Sequence, residues 1–294
     1  MGIDTSAVFI IIPVHNRKAT TLRCLRHLRD SGDLSWCRAI VVDDGSTDGT
    51  AEAVQARFPE ATVLRGDGNL WWTGAIVLGM RHAVERGADF LVWLNDDVLP
   101  DAGALEALIG FLRAHPRAIA GASFRHAATG RVLATGFRGR RRLAAGAGEA
   151  VPVDGMSGYC VGLPAAVVAS IGYPDASRFP HYAADGMYLL KAGRAGFRVF
   201  LLGQAVATIE GGGHDTTQGF ADYCRYLGRP AFRQVFLRCK SPYHLRTQIN
   251  YHIEKYGFVV GWSLSAFKFL IRLLQWALIR LCGSADIKER LVQP

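Results

Sequence analysis

The stretch Phe90-Leu91-Val92-Trp93-Leu94-Asn95-Asp96-Asp97 sets an apolar run directly against two adjacent acids. Such a run reads as a buried strand, and open α/β sheets bind their ligands at the carboxyl ends of those strands. Neighbouring carboxylates repel and are costly to bury unpaired, so a divalent cation is the first chemistry the pattern suggests. A blander reading has Asp96, Asp97 and Asp101 capping a helix that begins near Pro100 and runs through Leu105, Leu108, Ile109 and Leu112. The tripeptide alone leaves both readings open.

The elements that must position these acids are visible upstream. Arg38 to Val42 is a short apolar run that ends in a second acid pair, Asp43-Asp44, and Gly45 to Thr50 feeds a helix through Ala51, Val54 and Phe58. Before it, Val8 to Ile12 forms a β-branched run closed by Pro13, with His15-Asn16-Arg17 and a helical stretch through Leu22, Leu25 and Leu28 behind it. After Ala61 to Leu64, a helix near Thr73 to Arg86 leads to the strand at Phe90. Strand and helix thus alternate to residue 97, which predicts a mostly parallel, doubly wound sheet. Asp44, Ser46, Asp48 and Gly49 resemble the start of a calcium loop, but Gln55 stands where a bidentate Glu is required. No Gly-Lys pair and no Gly-x-Gly-x-x-Gly after the first strand supports a P-loop or dinucleotide fold.

Five segments, in order, resemble the inverting family 2 glycosyltransferases, rhamnosyltransferase-like bacterial members in particular. They are Ile11 to Arg17, Val41 to Thr50, Gly68 to Ala75, Leu94 to Asp97 and Phe179 to Asp185. The resemblance implies a glycosyltransferase A-type fold: a Rossmann-like, mostly parallel central sheet flanked by helices, with a C-terminal amphipathic helical segment. It implies that Pro13, Val14, His15 and Arg17 line a nucleotide pocket, that Asp44 accepts a hydrogen bond from base or ribose, and that Asp43 assists. Asn95-Asp96-Asp97 stands where the family has Asp-x-Asp, with Asp97 at the metal position and Asp96 and Asn95 near donor sugar or ribose. The metal would be Mg2+ or Mn2+, which offsets charge on a diphosphate leaving group. Asp185 is the implied general base that takes the acceptor hydroxyl's proton. From the residues alone it is equally a cap or first-turn acid of the helix through Tyr188, Leu189 and Lys191. The family often has Glu-Asp here, and this chain has Ala184-Asp185.

Around that frame, Asn69 and Gly74 shape a donor loop. Trp71 reads as packing, while Trp72 is open to stacking on a base or sugar. Gly155 to Cys160 resembles the small-residue segment under donor and acceptor, so Gly158 and Tyr182 are assigned to acceptor binding. His214, in the Gly-rich loop Glu210 to Thr217, is a metal-ligand or proton-donor candidate. Arg138 to Arg142 reads as a solvated, mobile basic loop.

The chain has 294 residues, 50% of them apolar, and a formal net charge of +9. Most of the excess lies in residues 229–294, where eleven Lys or Arg face three acids. A catalytic domain over 1–228, with a nucleotide-sugar half at 1–120 and an acceptor half at 121–228, followed by a basic tail at 229–294, is therefore expected. Within residues 258–281, Ser265, Lys268, Arg272 and Gln275 fall on one narrow helical face and apolar residues cover the rest. That pattern suits a helix lying in a membrane interface with Trp262, Trp276 and basic residues at headgroup level, or else a homodimer contact. The first apolar run has no charged leader, and six scattered cysteines lack metal or disulfide spacing, so a cytoplasmic enzyme on the inner face of the bacterial plasma membrane is expected. The expected reaction moves a sugar, rhamnose being the candidate, from a dTDP- or UDP-linked donor to a glycan or lipid-linked acceptor of the cell surface. A nucleotidyltransferase would want a basic glycine-rich loop after the first strand, and a nucleic-acid-binding protein would not interleave its charge with a greasy helix.

Overall fold

The computed structural model describes residues 7–209, 219–228 and 230–282. They divide into two compact units, one of residues 7–176 and 184–209, the other of residues 177–183, 219–228 and 230–282. In the second unit Phe220 and Cys224 are buried with Val235, Phe236 and Ile279 in one cluster.

In the first unit the alternation is β1 (Val8–Val14), α1 (Lys18–Asp30), β2 (Cys37–Asp43), α2 (Thr50–Arg57), β3 (Thr62–Arg65), α3 (Trp71–Glu85) and β4 (Phe90–Leu94). These strands pair in parallel in the order β3, β2, β1, β4. The order reverses between β1 and β4, and a crevice opens at such a switch point beyond the strands' carboxyl ends. Pro13 to Arg17 and Asn95 to Asp97 both leave the sheet there.

The chain continues through β5 (Val98–Pro100), α4 (Ala104–Ala114), β6 (Ala118–His126), β7 (Val132–Leu133), β8 (Gly136–Arg138), β9 (Arg141–Leu143), β10 (Ala150–Val153), β11 (Gly155–Met156), β12 (Cys160–Pro164), α5 (Ala165–Ile171), α6 (Ala184–Arg194) and β13 (Arg198–Ile209). β12 runs antiparallel between β4 and β6, and β13 lies parallel to β6, which completes a curled ten-stranded sheet. Two expectations change. Val98–Pro100 pairs with β13 rather than opening a helix, and α4 starts after Gly103 with no side-chain cap. The basic cluster Arg138 to Arg142 is not a loop but the β8–β9 hairpin of a small second sheet.

The unbroken apolar runs are explained by burial on both faces of the sheet. Val8, Ile10 and Ile12 pack with Leu22, Leu25, Leu28, Leu105 and Leu108, while Phe9 and Ile11 pack with Ile76, Met80 and Leu189. α3 sits so close to β1 that a Cβ on Gly79 would come within 2.4 Å of Ile11 Cγ2.

The second unit contains α7 (Phe220–Tyr226), a π-helical turn at Arg233–Leu237, α8 (Leu245–Tyr256) and α9 (Phe258–Cys282). α9 is long and apolar enough, by length and composition, to cross a membrane. Three of the four residues of its polar face turn into the unit, while Gln275 stays exposed. Ser265 and Lys268 contact His252, and Arg272 Nη1 donates to Gln248 Oε1 at 3.0 Å. Trp276 and Arg280 both donate to the Pro230 carbonyl. The polar groups find partners inside the unit, and Phe258, Trp262, Phe267, Leu270, Leu274 and Leu278 are left exposed.

Candidate active site

Asp96 is delivered by the end of β4 and is 3% exposed; Asp97 beside it is partly open. Arg17, just ahead of α1, spans both carboxylates, with Nε 2.9 Å from Asp96 Oδ1 and Nη2 2.9 Å from Asp97 Oδ2. Thr21 Oγ1, fully buried one helical turn later, lies 3.0 Å from Asp96 Oδ2. Burial pushes the Asp96 carboxyl up to about 6, Arg17 opposes the shift and the Asp97 charge adds to it. For Arg17, burial works against the charge, but the two carboxylates outweigh it and hold the guanidinium above its usual value.

The second acid pair has different work. Asp43 Oδ1 accepts the Ser46 amide at 2.9 Å, and Ser46 Oγ accepts the Asn16 amide at 2.8 Å, so the loops after β1 and β2 are tied together. Asp44 is 5% exposed and its carboxylate accepts three backbone amides, from Gly68 at 2.9 Å, Leu70 at 3.1 Å and Trp71 at 2.8 Å. It therefore anchors the loop that starts α3, and one of its roughly four lone-pair positions remains for another donor. His15 Nδ1 lies 2.6 Å from the Asp44 carbonyl, and Asn16 Nδ2 is 3.1 Å from His15 Nε2, an arrangement in which Nδ1 carries the proton. Gly45 must be glycine: its φ is +66°, and a Cβ would lie 2.8 Å from the Gly68 nitrogen.

From that loop the contacts run on to Asp185. Asn69 donates its amide to Asp67, and Gly74 packs on Leu70 in the first turn of α3. Trp72 Nε1 donates to Asn95 Oδ1 at 2.9 Å, and its ring meets Trp93 edge-on at 5.8 Å. A Cβ on Gly158 would lie 2.8 Å from Trp72 Cη2 and 3.0 Å from Asp185 Cβ, so only glycine fits between them. The Gly158 amide donates to Asp185 Oδ2 and the Gly186 amide to Oδ1, each at 2.7 Å. Burial raises the Asp185 carboxyl, against these amides, which stabilise its charge.

Asp44, Asp96, Asp97 and Asp185 thus belong to one contiguous set of contacts in the first unit, together with Pro13, Val14, His15, Arg17 and Asn95. Tyr182 is in the second unit, and His214 lies outside the described residues. Thr21 was not singled out from sequence, and Ser46 and Asp48 were named only in the discounted calcium-loop pattern. Asp48 Oδ2 accepts the Lys18 amide at 3.0 Å and caps α1 from another loop. Thr21 had a legible sign, a polar residue on the apolar stripe of α1. Among the described residues the non-glycine residues with positive φ are Asn16, Trp71 and Ala183, at or just ahead of the starts of α1, α3 and α6, positions of the kind that functional sites favour.

Among the described residues no three His, Cys, Asp or Glu side chains converge to cage a metal. Mg2+ and Mn2+ do not need such a cage, because they keep waters and take phosphate oxygens beside one or two carboxylates. The partly open Asp97, backed by buried Asp96, fits that demand. Beside Arg17 a cavity of about 880 Å³ is lined by Lys18, Arg23, Arg26 and Arg57 with Asp48 as its carboxylate.

Known proteins resemble this chain in fold and, over part of its length, in sequence. The computed fold resembles TarS 1-349 of S. aureus at a TM-score of 0.57 and 15% identity, over 94% of this chain and 81% of that one. It resembles a mannosyltransferase of Pyrobaculum calidifontis, solved with GDP-Man and Mn2+, at a TM-score of 0.54 and 17% identity, over 97% and 78% of the two chains. In sequence, 94 residues are 35% identical to galactofuranosyltransferase GlfT1 of Mycobacterium tuberculosis, covering 32% of this chain and 31% of that protein's length. The stretch that holds both acid pairs, Arg17 and the tryptophan loop, residues 9–147, matches the family described as Glycosyl transferase family 2.

Proposed function

We propose that this chain is a metal-dependent, inverting glycosyltransferase that moves a sugar from a nucleoside diphosphate donor to a glycan or lipid-linked acceptor of the bacterial cell surface. The observation that carries the reading is the single run of contacts joining the Arg17–Asp96–Asp97 cluster through Trp72 and Gly158 to Asp185. A metal that neutralises two carboxylates and a diphosphate belongs at one end of that run, and a base at the other. The solved relative with GDP-Man and Mn2+ supports the donor class and the ion.

Asp97, with Asp96 behind it, would hold Mg2+ or Mn2+, which supplies charge compensation to the departing diphosphate. Arg17 sits on the same carboxylates and offers its guanidinium to phosphate oxygens. His15 and Asp44 border the nucleotide end, with Asp43 fixing the loop. Asp185 takes the proton of the acceptor hydroxyl as the oxygen bonds to the anomeric carbon; the bond from that carbon to the diphosphate oxygen breaks, and the diphosphate leaves with the electron pair. A carboxyl raised by burial is the better base for that step. dTDP-rhamnose remains the first donor to test, and the galactofuranosyltransferase likeness adds a galactofuranose donor. Residues 258–281 would rest on the inner face of the plasma membrane.

A panel of nucleoside diphosphate sugars, read by thermal shift with and without Mn2+, should show stabilisation by one donor that requires the metal. Asp185→Asn should keep that shift and lose turnover by about 10²–10⁴-fold. A variant with full transferase activity overturns the base assignment, and a panel with no metal-dependent shift overturns the donor class.

A further inference from the structure

The second unit holds a cavity of about 380 Å³, the size of a small-molecule site, whose walls include Tyr182, Tyr223, Tyr226, His181, Arg238 and Lys240. Among the described residues no carboxylate lines it. The acids among the described residues of this unit are committed elsewhere: Asp222 to Arg225 at 2.7 Å and Glu254 to Arg178 at 2.8 Å. Two cations therefore face the cavity uncompensated, beside aromatic rings. Tyr223 is steadied by Tyr243, with ring centroids 5.3 Å apart, and Tyr226 is 65% exposed. Arginine and lysine lining one cavity suit a phosphate, and the tyrosines present both an apolar ring and a hydroxyl, which suits the C–H face and hydroxyl edge of a sugar.

We propose that this cavity binds a phosphorylated saccharide, its phosphate between Arg238 and Lys240 and its sugar against the tyrosines. A neutral glycan would leave both cations idle.

The test is ligand-observed NMR titration of the full chain in EDTA, so that no metal recruits phosphate at Asp97. The probes are glucose 1-phosphate, methyl glucoside and inorganic phosphate. Glucose 1-phosphate should bind about tenfold tighter than either other probe, the worth of one charged hydrogen bond or more. Arg238→Ala/Lys240→Ala should bring it down to methyl glucoside, while Arg238→Lys/Lys240→Arg retains it. Tyr226→Ala should weaken glucose 1-phosphate and leave inorganic phosphate unchanged. Equal affinity for inorganic phosphate and glucose 1-phosphate, or binding untouched by the double alanine variant, overturns the proposal. The donor panel fails separately: this probe pattern without any metal-dependent donor shift would remove the transferase reading and keep the saccharide phosphate site.

Discussion

Arg17 is the residue on which the acidic triplet depends. Its planar fork reaches two carboxylates on one strand end, a geometry that lysine, a point charge on a flexible stem, does not reproduce. Arg17→Ala leaves buried Asp96 with Thr21 as its remaining side-chain partner. The expected loss is about 1–2 kcal/mol of stability, at the low end for a charged hydrogen bond because the guanidinium is partly solvated. Urea unfolding in EDTA should show it, with Arg17→Lys recovering less than half; a variant as stable as the parent would mean the carboxylates hold themselves. Sequence marked Arg17, Asp96 and Asp97 by family register, but not their bond, because the partners are 79 and 80 residues apart. The structure also sets the Asp44 carboxylate on three amides of the tryptophan loop, which sequence did not indicate. Backbone amides leave no trace in side-chain type.

Among elements, the α8–α9 hairpin carries the clearest pH dependence. His252 is 2% exposed; Ser265 Oγ donates to the Gly261 carbonyl, so His252 Nδ1–H must donate to Ser265 and Nε2 must accept from Lys268. A second proton would face an ammonium group. Burial, then Lys268 and Arg272, and more weakly Lys255, lower the imidazole to about 4, against a small opposing contribution from Gln248. The folded state binds this proton more weakly than the unfolded chain, so the stability is present above about pH 6.5 and is lost as pH falls towards 4. The full effect is about 3 kcal/mol at 1.36 kcal/mol per unit. Melting curves from pH 7 to 5 should fall more steeply for the parent than for His252→Gln, and parallel curves would exclude His252. Other lowered histidines titrate in both proteins and cancel. The doubly wound half was legible because β1 to β4 are apolar runs buried on both faces. α8 was not, since Leu245–Tyr256 is mostly polar and is helical because α9 covers it. Nor was β12, whose pairing with β4 and β6 is non-local.

At the scale of the whole molecule, the charge excess of the tail proved a poor guide to its surface. Lys268 and Arg272 turn inward to His252 and Gln248, and the exposed face of α9 is mostly apolar, with Ser263, Gln275 and Arg280 also at the surface. Periodicity gives which residues share a face; it does not give which face meets solvent when a neighbouring helix offers polar partners. The consequence is an apolar stripe with Leu270 58% and Leu274 67% exposed, and contiguous exposed apolar patches mark interaction surfaces. A bilayer interface buries such a stripe without the polar rim that the cations would otherwise have supplied. Removing everything after residue 257 would also strip α8 of its cover, so the informative variant is Leu270→Glu/Leu274→Glu, which alters the outer face alone. It should stay folded by circular dichroism and lose flotation with anionic vesicles by about tenfold or more, since each buried leucine contributes about 1.5–3 kcal/mol. Flotation equal to the parent's would discard the membrane role. Lost self-association at unchanged flotation would assign the stripe to a second copy of the chain instead.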